Sequence, residues 1–494
     1  MLKTLRQWIG NAESLTKQLD YLIREFQLSV EIPSVRTVRL WRSKNIFSQP
    51  PKQKFGFRQI LEGLATILLL KKGWTLSSIE QILPLLSDVV LEEQILGEIE
   101  GKPTTWLPDS LVKNHRQQTE KAENAVVLLA QGILHLYNRL LASQDDIVRQ
   151  DDNLPIELYQ AMGQLGRLYI EEGKFDRASC VHEVLHNARF SLQNPLWNLA
   201  IFQDDNFVYK DVILIDSELV IPTEDCGEIA HKYGGFGEDN LIERRLYLQL
   251  CQAVEKLGNR RHFAYTKIRE LLGRFSLISQ DKFYDYLQEH NLTSLSGDVF
   301  NFYTEVPDIW LIDNVANRCG YCGTLMRPNA NPKYSNGQCP IWQCEGHLSP
   351  KIAEKLDPKK GELLVALPQI LTYWTAPAID ELAIYDTAKK QGLNVELYPQ
   401  SDECDVSIND LTIGIDAKSY RCPYSLAHKL NYRIGGLKHY QTRIIAINDR
   451  IIKDHPYYIE KLQEKLDKTD FTATLQIMSV SQVINNIKEG KYES

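Results

Sequence analysis

Apolar residues recur at helical spacing through most of the first 190 positions, and the two-residue alternation of strands dominates only near the end of the chain. Ser14 to Phe26 form one apolar-periodic stretch, and a second helical region with a basic face follows Pro33 until Pro50-Pro51 breaks it. Phe57 to Leu70 predicts another helix, Gly73 a stop, and Thr75 with Ser78 the start of a helix through Leu86. Asp109 to Ala188 reads as mostly helical. Around Leu196 to Val220 the runs LWNLAIF, FVYKDVILI and SELVI are short, β-branched and aromatic, which predicts a small antiparallel sheet. Helices return from Glu243 to about His290. From residue 362 onward, strands (ELLVALP, VELYP, CDVSIN, LTIGIDAK, RIIAIND, TLQIMSV) alternate with helices over Pro377–Lys390, near Leu426–Tyr440, over Tyr457–Leu466 and at the end. That alternation predicts a compact α/β domain.

With 494 residues the chain is too long for a single core. The expected fold class is multidomain α+β, with a basic helical unit at 1–100, a helical domain at 101–190, a mixed sheet and helical domain at 191–311, a cysteine-rich segment at 312–350 and an α/β domain at 360–494. The start lacks an apolar signal region. The most apolar runs, Ile60–Leu70 and Leu363–Leu371, fall short of the ~20 residues of a membrane span. No membrane partner is expected, and the expected location is cytoplasmic. Nine cysteines, four of them clustered between Cys319 and Cys344, fit metal binding in a reducing compartment.

A net charge of −8 would discourage a nucleic-acid reading if charge were evenly spread, but residues 33–72 hold nine Lys/Arg against one acid, Glu62. Local charge makes the footprint of a DNA-binding surface. Arg36, Arg39 and Arg42 recur every three residues, so a helix lines them on one side, where they can meet phosphates or guanine edges. Val35-Arg36-Thr37-Val38-Arg39, Gly56-Phe57-Arg58 and Gly73-Trp74-Thr75-Leu76-Ser77 together resemble the MerR-type winged helix-turn-helix over about 55 residues. The resemblance implies DNA contacts from Arg36, Thr37, Arg39, Arg42 and Lys44, and from Arg58 in a backbone-touching wing. The long dimerisation coiled coil and effector site of that family have no clear counterpart.

Cys319-Gly-Tyr-Cys322-Gly is a metal knuckle, and Cys339 and Cys344 complete four ligands suited to tetrahedral Zn²⁺, with His347 as a substitute ligand. Four protein ligands leave no open position, so a structural zinc ribbon is expected.

The chemistry concentrates in CDVSIN-DLTIGIDAKSY. Asn409-Asp410 is a two-residue hairpin signal that pairs Ile408 with Leu411 and Asp405 with Gly414. Alternation then places Asp405, Ser407, Gly414, Asp416 and Lys418 on one face and Val406, Ile408, Ile413, Ile415 and Ala417 toward the core. Asp416 becomes the diagonal neighbour of Asp405 at ~7–8 Å, close enough for two short carboxylates to share a hard cation. This arrangement resembles the PD-(D/E)xK restriction-endonuclease-like fold. The resemblance implies that Asp405 and Asp416 hold Mg²⁺ (or Mn²⁺), that Lys418 helps orient and activate water, and that an acid on the preceding helix, Glu381 or its neighbour Asp380, completes the site. Cys404 departs from the proline frequent in that family. Asp357-Pro-Lys359 matches the acid-x-Lys spacing but sits in a Pro- and Lys-rich linker.

The order of parts is similar to the endonuclease component of prokaryotic PIWI-associated (pPIWI-RE) defence islands. It implies DNA as substrate, with RNA left open, a PIWI-like protein and a helicase as partners, and room for a homodimer. The leading expectation is a metal-dependent DNA endonuclease; the alternative is a non-catalytic DNA-binding regulator or scaffold subunit. His182 and His186, four apart on an expected helix, fit a half-buried helix face better than a metal site.

Overall fold

A computed structural model describes the chain except residues 1–4, 29, 31, 49–53, 73, 103, 105, 107–108, 144–152, 233–235, 239–240, 346–350, 468–471 and 493–494. The side chains of 77, 78, 81, 109–116, 143, 345 and 473 are also left aside. Pro50-Pro51, Gly73 and His347 lie outside the described residues. The chain divides into two compact units, Met1–Gln118 and Thr119–Ser494.

In the first unit, polar caps set the helix starts. Asn11 accepts from the Ser14 amide at 2.9 Å to open Ala12–Glu25, and Ser34 accepts from the Thr37 amide at 3.1 Å to open Val35–Ser43. Leu15, Leu19 and Leu22 of the first helix and Val38 and Trp41 of the second belong to one core. The Phe57–Lys71 helix runs through it, buried from Gln59 to Leu69. Helices Leu76–Ile82 and Asp88–Ile99 complete the unit.

Arg58 corrects the wing expectation. Gly56 caps the Phe57–Lys71 helix, so Arg58 stands in its first turn rather than in a wing. Its guanidinium donates to Glu62 at 2.7 Å, to Asp88 at 2.9 Å and to the carbonyls of Leu86 and Leu83 at 2.6 and 2.5 Å. Glu62 is fully buried, and burial raises its pKa despite the arginine. Arg58 therefore ties the first turn of its helix to the Leu83–Asp88 segment.

The second unit contains all ten strands of the described residues. β1 (Leu277–Ser279), β2 (Tyr303–Glu305) and β5 (Leu363–Ala366) form an antiparallel sheet in the order β1-β5-β2, and β3 (Ala316–Cys319) pairs with β4 (Ile352–Leu356). ELLVALP thus belongs to this small sheet and not to the C-terminal one. The expected sheet over Leu196–Val220 is absent among the described residues. Only an isolated bridge, Ile215 to Pro222, occurs there, and the aromatic runs instead pack Trp197, Phe202, Phe207 and Tyr209 ring against ring. Sequence enrichment in aromatics reflected burial, not strand pairing.

The helical segment holds one further correction. Gln117–Ala142 is long and apolar enough to cross a membrane, contrary to the reading of shorter runs. It packs as a core helix: Ala122, Ala125, Val126, Leu129, Ala130 and Ile133 are buried in the cluster that also holds residues of the C-terminal sheet, and Gln131 donates to the Ala230 carbonyl at 3.0 Å. One continuous core therefore links segments expected as separate domains.

β6 (Val395–Leu397), β7 (Val406–Ile408), β8 (Ile413–Lys418), β9 (Thr442–Ile447) and β10 (Leu475–Ser479) form a mixed sheet in the order β10-β9-β8-β7-β6. β8, β9 and β10 run parallel, and the hairpin partners β7 and β6 antiparallel. Val406, Ile408, Ile413 and Ile415 face one cluster, whereas Ile445 and Ile447 join Leu437 and Tyr440 in another on the opposite side. Being covered on both faces, the sheet buries even Ser407, 2% exposed.

Arg58→Met is expected to destabilise the first unit by roughly 3–5 kcal/mol, because Glu62 is left buried and unpaired; chemical denaturation checks this. An unchanged midpoint would show that Arg58 is dispensable to the fold.

Candidate active site and metal centre

The β7–β8 register departs from the expected one by two residues. Ile408 pairs with Ile413 and Ser407 with Gly414, leaving a longer turn in which Asn409 and Asp410 adopt φ of 54° and 55°. Asn and Asp tolerate that left-handed backbone better than most residues. Continuing the register sets Asp405 directly opposite Asp416 rather than diagonal to it.

The pairing locks both carboxylates. Asp405 N–H donates to Asp416 Oδ1 at 3.2 Å, and Ala417 N–H donates to Asp405 Oδ2 at 2.7 Å. One oxygen of each group stays clear of backbone donors. Lys418 Nζ lies 3.4 Å from Asp416 Oδ2 and 3.8 Å from Asp405 Oδ2. Burial works against the lysine's charge, but Asp416 and Asp405 outweigh it and raise its pKa. Burial lifts Asp405 well above the usual carboxylate range, against Lys418 and together with Glu381 and Asp416. Two hard oxygen donors side by side suit Mg²⁺ or Mn²⁺.

The helix Ala376–Lys390 gives the two upstream acids different surroundings. Asp380 accepts from Asn448 Nδ2 at 2.7 Å, away from the pair, whereas Glu381 lines the small cavity shared with Asp405 and Lys418. Glu381 is 2% exposed and accepts a hydrogen bond from the Tyr398 hydroxyl. Burial pushes its carboxyl up to about 7, while Arg269 pulls the other way.

The cavity opens into a cleft of about 560 Å³. Its walls add residues that sequence reading missed: Glu224, Glu243, Arg269, Asp402, Tyr420 and Lys429. Lys429 donates to the Tyr420 hydroxyl at 2.8 Å and approaches Glu243 at 3.4 Å. Glu224 is pushed up to about 8, by burial first and by Glu243 next. Glu224, Glu243 and Arg269 come from segments more than 100 positions before Asp405, and no local motif marks them.

The four cysteines meet as expected. Cys319, Cys322, Cys339 and Cys344 place their sulfurs within 4.8 Å of one another. A Zn–S bond of 2.3 Å implies tetrahedral sulfurs ~3.8 Å apart, and with Cys322 and Cys339 at 3.4 Å and all four within 4.8 Å only small shifts are needed. Gly320 runs against Lys351, where a Cβ would lie 2.9 Å from its side chain, and Gly323 takes φ 74°. Both positions need glycine. The neighbouring thiols stabilise a thiolate at Cys319, while Cys322 and Cys339 hold their protons more tightly. Ala376 and Ile379, at the start of the Glu381 helix, pack on this cluster. Trp342, between the last two cysteines, stacks under the guanidinium of Arg421 at 4.4 Å. The cysteine cluster thus packs on the helix that carries Glu381.

In the first unit, Arg36, Arg39, Arg42 and Lys44 are exposed on or just beyond the Val35–Ser43 helix. Arg42 also lies 5.5 Å from the Phe55 ring centroid. Thr37 is half-buried and shares its hydroxyl with Ser34 at 2.9 Å, so its part in the cap is structural.

A family model described as "REase associating with pPIWI_RE" matches residues 378–493. No curated protein and no solved structure matches the chain. The match supports a restriction-endonuclease-like domain over residues 378–493, similar to a family whose description places it in association with pPIWI_RE. The matched segment contains Glu381, Asp405, Asp416 and Lys418 but neither the cysteine cluster nor Arg269, Glu224 and Glu243.

The purified chain is expected to carry one zinc per molecule by elemental analysis, and Cys322→Ser with Cys339→Ser to lose it and melt at lower temperature. Metal-free wild-type protein of unchanged stability would remove the ribbon.

Proposed function

We propose that this protein is a Mg²⁺-dependent endonuclease of PD-(D/E)xK type that hydrolyses phosphodiester bonds in DNA, working beside a PIWI-like protein in a prokaryotic defence system. The observation that carries the reading is the paired placement of Asp405 and Asp416 on adjacent strands, with Lys418 over both and Glu381 in the same cavity.

Asp405 and Asp416 would hold the cation through the oxygens their backbone bonds leave clear. A divalent cation there supplies neutralisation of phosphate charge and a lowered pKa for bound water. The residues of the chain do the rest. The hairpin fixes the carboxylates so that no reorganisation is needed when charge develops at the scissile phosphate. Lys418, held charged by the same carboxylates, orients the attacking water. Glu381, with a pKa near neutrality, can accept or hold a proton at the far side of the cavity. Arg36, Arg39, Arg42 and Lys44 serve as a phosphate-docking surface, which makes binding salt-sensitive. Four cysteines holding zinc keep the Glu381 helix in place.

The test is incubation of the chain with single-stranded, duplex and branched DNA and with RNA, with and without Mg²⁺ or Mn²⁺. Asp416→Ala and Lys418→Ala should each lower cleavage at least ~100-fold while keeping fold and binding. Undiminished cleavage by both purified variants removes the assignment. Salt-sensitive binding with no metal-dependent cutting of any substrate favours a DNA-binding scaffold instead.

A further inference from the structure

The loop that leads into Asp405 adopts an uncommon backbone. Tyr398, Gln400, Ser401 and Asp402 have φ of 50°, 51°, 64° and 87°. Residues with a Cβ rarely take this form, and it persists only where the surroundings impose it. The surroundings here are the helix Arg261–Arg274, which lies outside the matched residues 378–493. Tyr265 donates to Asp402 Oδ2 at 3.0 Å, Ser401 Oγ lies 2.8 Å from His262 Nδ1, and Thr266 donates to the Leu397 carbonyl at 3.3 Å.

Arg269 sits at the centre of this contact, only 5% exposed. Its guanidinium lies 4.9 Å from the Trp374 ring centroid and 4.6 Å from that of Tyr398. It reaches Glu381 Oε2 at 3.8 Å and Asp402 Oδ2 at 3.6 Å, and its Nε makes no hydrogen bond among the described residues. An arginine cannot shed its proton, so burying it is costly unless the charge is matched. A pair built for stability alone would close to the ~2.7–2.9 Å of charge-assisted hydrogen bonds. Here two aromatic rings hold the cation between two acids, and both acids border the cavity of Asp405 and Lys418.

We propose that Arg269 is a positioning residue of the nuclease centre: clamped by Trp374 and Tyr398, it fixes the Glu381 carboxylate toward the Asp405–Lys418 cavity. This rests on the metal-nuclease reading above. Residues 378–493 alone therefore lack a part of their own active centre, and the helical segment before them supplies it.

The experiment compares the full-length chain with Arg269→Met, Arg269→Lys, Glu381→Gln and the two Arg269 changes each combined with Glu381→Gln. Readouts are cleavage rate, KM for the nucleic acid, Mg²⁺ concentration at half-maximal rate, and circular dichroism. Arg269→Met should lower the cleavage rate roughly ten-fold or more, toward the loss expected when a proton-transfer group is misplaced. It should lower kcat and leave KM unchanged, and Arg269→Lys should restore part of the rate. In the Glu381→Gln background either Arg269 change should alter cleavage less than ~two-fold, because residues acting through one another do not add. If Arg269→Met fails to fold, Arg269→Lys is compared with wild type and with its Glu381→Gln double variant by the same criteria. Equal effects with and without Glu381, or an unchanged cleavage rate, overturn the role of Arg269. A wild-type chain that cuts no substrate overturns the nuclease reading itself and this inference with it.

Discussion

The antiparallel register between β7 and β8 is the constraint on which the candidate centre depends. It sets Asp405 opposite Asp416, supplies the two backbone amides that lock one oxygen of each, and brings Lys418 over both. A slip by one residue would turn every side chain on the strand to the other face. Slippage is opposed from both sides, because Val406 and Ile415 pack into one cluster while Leu437 and Tyr440 cover Gly414 from the other. A Cβ at Gly414 would come within 2.6 Å of the Tyr440 ring, so the strand admits no larger residue at the point where Ser407 pairs.

The remaining parts of the second unit can be understood as supports of that hairpin. The helix Ala376–Lys390 presents Glu381 from one face, and its start packs against the cysteine cluster. Helix Arg261–Arg274 holds the loop before Asp405 in its left-handed form. Because these elements share one continuous core, the acidic cavity is assembled from segments between Glu224 and Lys429. Concentrating so many carboxylates in a buried space is unfavourable without cations, and Lys418, Lys429 and Arg269 are placed among them.

Much of the C-terminal domain was legible because strand alternation and helix periodicity are local signals. The strands around Asp405, Asp416 and Ile444 and the helix around Glu381 fall where the pattern puts them. The exact register was not legible: Asn409-Asp410 suggested a two-residue turn, and only the packing of Ile413 against its sheet neighbours selects the longer one. The choice between Asp380 and Glu381 likewise needed the position of Asn448, 68 residues away. The ion pairs of Arg58 were not legible, because a basic residue beside Gly56-Phe57 carries no sign of Glu62 and Asp88 closing around it in space. The aromatic runs at 196–220 predicted strands because burial and β propensity favour the same residue types. Cys319, Cys322, Cys339 and Cys344 were legible since ligand spacing is itself the signal.

The central claim is that the Asp405–Asp416 pair is a cation site and not a charged hairpin. Calorimetric titration of Mn²⁺ into the zinc-loaded chain, wild type against Asp405→Asn with Asp416→Asn, tests it most directly. The account predicts saturable binding in the wild type that the double variant loses, with circular dichroism unchanged. Equal Mn²⁺ binding by both proteins would contradict it.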